Sequence, residues 1–156
     1  MEVKTTRGVD GFEIFPFLLI PVLIYNFLAL VSAPPLPGTS EPTLLATMRS
    51  EAFSMHMLSG STLSLTWGDL LLLVAIVFLL VEIIKATRTT ASSIINHMLS
   101  MGVFVLCLVE FLLLRSFASS TFFLMTMIVL LDAMAGMVVS IIAARRDFDV
   151  GGVGGG

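Results

Sequence analysis

A chain of 156 residues, 57% hydrophobic and only 12% charged, departs far from a water-soluble domain, whose charged share is about one quarter. Mean hydropathy is +1.06. The net charge of -3, with no basic cluster, excludes nucleic acid as a partner.

The first long apolar run is Ile14–Ala33. It follows Lys4 and Arg7, carries Pro16 and Pro21, and stops at Pro34-Pro35. Pro21 is expected to kink the helix and to free a carbonyl near Phe17. The run is too long for the apolar core of a signal peptide and reads as a retained span.

The segment Pro34–Trp67 is the one sizeable loop. Ser40-Glu41-Pro42 resembles a helix start. Leu44, Leu45, Met48, Ala52 and Met55 then recur at helical spacing. That pattern predicts a short amphipathic helix, either lying on the membrane surface or packed as a cap on the bundle. His56 reads as a polar surface residue rather than a pH-sensitive ligand or proton group. Met48, Met55 and Met57 are too loosely spaced for copper and are better explained by packing.

Three further runs follow: Gly68–Lys85, Ile94–Leu114 and Thr121–Ala144. Each offers about 20 residues, enough to cross about 30 Å at 1.5 Å per residue. Ser64 or Thr66, Ser92 or Ser93, and Ser119 or Ser120 are the candidate caps of these helices. The short links predict antiparallel neighbours. The fold expected is all-α: a four-helix antiparallel transmembrane bundle, single-domain over residues 1–146. The Gly-rich tail 147–156 reads as flexible.

Lys4, Arg7, Lys85, Arg88, Arg145 and Arg146 fall on one side of such a bundle, and Arg49 and Arg115 on the other. The bias puts both termini in the cytoplasm.

Intramembrane polar residues are the functional leads. Asp132 lies midway along the fourth run. Gly136, Ser140 and Ala144 recur from it every four residues, giving a small-residue packing face. Asn26 is the expected partner of Asp132: a neutral acid donates to its carbonyl, a carboxylate accepts its amide. Asn96, Ser100, Val103, Cys107 and Glu110 form a second stripe on the third run. It could face Asp132 as a polar seam, with His97 one position off it, at the membrane boundary. Glu110 has Arg115 five residues on, and Glu82 has Lys85 three residues on. Glu82 and Glu110 are expected to approach the headgroups. Cys107, the sole cysteine, excludes an intramolecular disulfide and reads as a small buried apolar group. No cofactor, metal or catalytic motif is present.

The phrases GFEIFPFLLIPVLIYNFLAL, LLLLVAIVFLLVEIIKATRTTASSIINHMLSMGVFVLCLVEF and FLLMTMIVLLDAMAGMVVSIIAARRDF resemble a group of small bacterial inner-membrane proteins, alphaproteobacterial in type. The resemblance implies four spans and a place in the bacterial plasma membrane. It brings no activity, cofactor or catalytic residue. The functions that remain are a structural or accessory subunit of a larger membrane complex or homo-oligomer, a proton-coupled transporter or channel using Asp132, and a membrane enzyme acting on lipid or quinone.

Overall fold

A computed structural model describes residues 14–35, 38, 40–86 and 91–151, with the side chains of 91–94, 140 and 143–151 outside the described set. Five helices and one β-hairpin follow in the order α1 (Leu19–Val31), α2 (Thr43–Arg49), β1 (Glu51–His56), β2 (Thr62–Thr66), α3 (Trp67–Ala86), α4 (Ala91–Leu113) and α5 (Ser120–Gly151). A 3₁₀ turn at Arg115–Phe117 joins α4 to α5.

Three helices are long and apolar enough to cross a membrane, over Trp67–Ala86, Ile95–Leu113 and Ser120–Val139. They pack as an antiparallel set, with α5 against both α3 and α4. Helix α5 has 32 residues and continues past its apolar part to Gly151.

The first apolar run differs from its expected 20-residue helix. After Ile14 the helix is broken and resumes only as the 13 residues of α1, too few to rank with the three long helices. The prolines account for this. Leu19 N–H donates to Pro16 O and Ile20 N–H to Phe17 O, both at 3.0 Å, so the chain turns before the helix starts. Pro21 then sits in the first turn, where a missing N–H costs nothing. No freed carbonyl results at Phe17, because Ile20 takes it.

Groups of α1 and its lead-in meet the bundle at both of its ends. Phe17 meets the end of α3 at Glu82, and the Tyr25 hydroxyl meets Ser116 and Ser119 beside the start of α5. Tyr25 donates to Ser116 O (3.0 Å). The Ser119 hydroxyl then donates to Tyr25 Oη (2.8 Å), since a phenol has one proton. Ser119 Oγ also accepts Phe122 N–H (3.0 Å), which makes it the cap of α5. The Tyr25, Phe117 and Phe122 rings pack together here, with centroids 4.7–5.3 Å apart.

The loop between α1 and α3 holds less helix than its spacing predicts. Helix α2 ends at Arg49, and Ala52 and Met55 lie on a strand instead. The hairpin pairs Phe53 with Leu65 and Met55 with Leu63 around a Met57–Ser61 turn. Gly60 supplies that turn's positive φ of +82°. Of the two placements left open for α2, the packed cap is observed: Leu44, Leu45 and Met48 are buried. A Cβ at Gly68 would lie 3.0 Å from Met48 O and 2.3 Å from Thr121 Oγ1, so α2, α3 and α5 meet at that point. Helix α3 opens with a reciprocal cap. Thr66 Oγ1 accepts Asp69 N–H (3.1 Å), and Asp69 Oδ2 accepts Thr66 N–H (2.9 Å).

Candidate functional site

The buried faces of α3, α4 and α5 bring six polar side chains together at the end of the bundle away from the hairpin. Glu82 comes from α3, and Lys85 lies one turn beyond it. Asn96, His97 and Ser100 come from α4, and Asp132 from α5. Five of the six are buried, and Lys85 is half-buried.

Glu82 is the centre of the network. Its Oε1 accepts Lys85 Nζ–H at 3.1 Å, and its Oε2 accepts Asn96 Nδ2–H at 2.9 Å. The Phe17 backbone N–H also donates to Oε1. Lys85 Nζ donates further to Asn96 Oδ1 (3.2 Å) and Phe15 O (2.6 Å), and stands 4.5 Å from the Phe17 ring centroid. Three oxygens from three parts of the chain therefore surround one ammonium. A carboxylate with a fully buried side chain tolerates its position only because it is paired and hydrogen-bonded.

Asp132 lies alongside this network. Ser100 stands beside its carboxyl, and Glu82 and Lys85 are within electrostatic reach. Neither Ser100 Oγ nor Asp132 Oδ2 closes a hydrogen bond of normal geometry among the described residues. His97 packs on Gly136: a Cβ there would lie 1.9 Å from His97 Nδ1. Ser140 and Ala144, expected on the same face, have side chains outside the described residues.

The expected partner of Asp132 is corrected. Asn26 Nδ2 donates to Glu110 Oε2 (3.1 Å) and to Val22 O (3.2 Å), toward the hairpin end of the bundle. Glu110 thus takes Asn26 rather than Arg115. The stripe Asn96, Ser100, Val103, Cys107 does form the buried face of α4, with Glu110 partly buried at its end. Only its Ser100 level meets Asp132. Cys107 is fully buried in apolar surroundings.

Sequence reasoning missed the weight of Glu82 and Lys85. Their i, i+3 spacing predicts only a local pair near the headgroups. The signal was present in Asn96, the one amide on the α4 stripe, at the end where a chain reversing after Ala86 returns it to Glu82. His97, expected at the membrane boundary, is buried. Among the described residues, no three His, Cys, Asp or Glu side chains group as a metal site would require.

Glu110 lies ten positions after Ser100 on α4, a rise of about 15 Å. Val103 and Cys107 occupy that interval, with Met125 and Val129 of α5 buried in the same core. Thr126, also buried there, turns its hydroxyl onto Phe122 O at 2.8 Å. The two polar groups, Glu82–Asp132 and Asn26–Glu110, are therefore separated by an apolar layer.

Three apolar helices of bilayer-crossing length, closed around a buried polar cluster, are the features expected of a helical membrane protein. Comparison of the chain with protein-family models, with curated proteins and with solved structures finds no match.

Proposed function

We propose that this chain is a four-span protein of the bacterial plasma membrane, with both termini cytoplasmic, serving as a structural or accessory subunit of a larger membrane assembly. The observation that carries the reading is how its buried polar groups are used. Glu82, Lys85, Asn96 and the backbone at Phe15 and Phe17 satisfy one another and fasten α3, α4 and the lead-in to α1. Asn26 and Glu110 fasten α1 to α4. Such bonds specify which helices adjoin. The apolar layer between the two groups offers no polar line across the bundle among the described residues. A fourth crossing is supported by the contacts of Phe17 and Tyr25 at opposite ends of the bundle.

The broad exposed apolar faces of α3 and α4, such as Leu73, Ile76, Val77 and Leu80 or Leu112 and Leu113, suit lipid or a neighbouring subunit. The test is the mass of the particle extracted in mild detergent from membranes in which the chain is native. An assembly of fixed stoichiometry larger than one chain is expected. A monodisperse single-chain particle would overturn the reading.

A second reading has one observation behind it. Asp132 Oδ2 and Ser100 Oγ are buried without a closed hydrogen bond, which suits a site that takes and gives a proton. Proteoliposomes under a pH gradient decide it. Proton flux that Asp132→Asn abolishes would favour coupling. Absent flux, or flux unchanged by the substitution, would remove it.

A further inference from the structure

Glu110 and Arg115 carry opposite charge near the end of α4 and do not pair. Glu110 is engaged by Asn26. The Arg115 side chain makes no ion pair or hydrogen bond among the described residues. It lines an open groove of about 530 Å³ between α1 and the 3₁₀ turn, together with Asn26, Ser116, Leu23, Phe27 and Leu30.

The groove is lined by both apolar and polar groups. Leu23, Phe27 and Leu30 follow each other at spacings of four and three, so they form one stripe of α1 about 10 Å long. All three are exposed, Leu30 to 83%. The groove's polar lining is the Asn26 amide within that stripe and, beyond the end of α4, the Arg115 guanidinium and the Ser116 hydroxyl. It lies at the hairpin end of the bundle, where α5 starts at Ser120 and α3 at Trp67. In the membrane placement proposed above, on which this inference rests, that level is the headgroup boundary.

We propose that the groove binds one anionic phospholipid. The phosphate sits on the Arg115 guanidinium, whose fork of donors matches phosphate oxygens. One acyl chain lies along Leu23, Phe27 and Leu30, and Asn26 and Ser116 face the glycerol ester region. A purely apolar partner helix in the same groove would leave Arg115 desolvated and unpaired, which is costly. An anionic lipid covers the apolar stripe and neutralises the cation together.

The experiment uses the full chain extracted in mild detergent. The need for detergent checks the membrane placement separately from the lipid result. Native mass spectrometry counts lipids retained after adding phosphatidylglycerol or, as the net-neutral control, phosphatidylcholine. One phosphatidylglycerol is expected in preference to phosphatidylcholine. Arg115→Gln should weaken it about fivefold, the effect of one basic side chain at an anionic surface. Leu30→Trp should weaken both lipids by filling the groove. Arg49→Gln should change nothing, because Arg49 is held by Glu41 at 2.5 Å. Thermal stabilisation by phosphatidylglycerol in the parent, lost in Arg115→Gln, gives a second readout. Equal retention of the two lipids overturns the proposal. So does unchanged retention in Arg115→Gln, displacement by inorganic phosphate at equal concentration, or a second copy of the chain in the groove.

Discussion

Gly136 shows how a single missing side chain sets the packing of α4 on α5. A Cβ at that position would fall 1.9 Å from His97 Nδ1 and 2.3 Å from His97 Cγ. The ring fills the space a side chain would need. Gly136→Ala should therefore cost about 1–3 kcal/mol, the usual range for overpacking, read as a lower melting temperature in detergent. In a His97→Ala background the same change should cost little, since the clashing ring is gone. Equal costs in both backgrounds would show that the ring is not what position 136 accommodates. The small-residue spacing made the packing role of Gly136 legible, but not its partner. His97 looked peripheral because it is one position off the Asn96–Ser100 stripe. A buried helical face is wider than one stripe, at least about 100°, and here it takes in His97 on one side of Asn96 while Ile95 on the other stays exposed. The Asp132–Asn26 pairing failed for a related reason. Depth along a span does not determine which helix faces which, and Glu110 competes for the same amide.

At the level of elements, helix starts were easier to read than loop contents. Thr66 and Ser119 were each one of two candidate caps, and geometry selects them. Ser119→Ala removes the acceptor for Phe122 N–H and the hydroxyl bonded to Tyr25. Loss of the cap alone costs about 0.5–2 kcal/mol. Ser120→Ala, one residue on at an exposed position, should shift thermal unfolding far less. Equal shifts measured by circular dichroism in detergent would contradict the assignment. The hairpin was hidden by an ambiguous period. Met48, Ala52 and Met55 fit a helical repeat, while Phe53, Met55, Leu63 and Leu65 fit strand alternation. Ser50 breaks the tie, because its N–H and Oγ both turn back onto Thr47 O and end α2. The Ser59-Gly60-Ser61 turn signal pointed the same way. In the first apolar run, hydropathy set the extent of the run and Pro16 set where the helix could begin.

For the whole molecule, the charge bias and the fold make a joint statement that labelling can test. Three helices are long and apolar enough to cross a membrane. Whether the chain begins and ends on the same side depends on the segment through α1. Lys85 is spent inside the bundle on Glu82, Asn96 and Phe15, so it is weaker topogenic evidence than an exposed lysine. The proposed cytoplasmic side for the end opposite the hairpin rests on the remaining bias in the sequence, that of Lys4, Arg7, Arg88, Arg145 and Arg146. Cys107 is the sole cysteine and is fully buried, so Cys107→Ser supplies a clean background. In it, Leu58→Cys at the exposed hairpin tip should react with a membrane-impermeant maleimide in cells whose inner membrane is intact. Gly151→Cys should react only after permeabilisation. It ends α5, about 18 Å of helix beyond the apolar stretch that closes at Val139. Labelling of both sites in intact cells would put both ends of α5 outside, so that α5 does not cross as proposed. Labelling of Gly151→Cys alone would invert the orientation while keeping the bundle. Only the pattern with Leu58 outside and Gly151 inside places the Arg115 groove in the outer leaflet and the Glu82–Lys85 cluster at the cytoplasmic end.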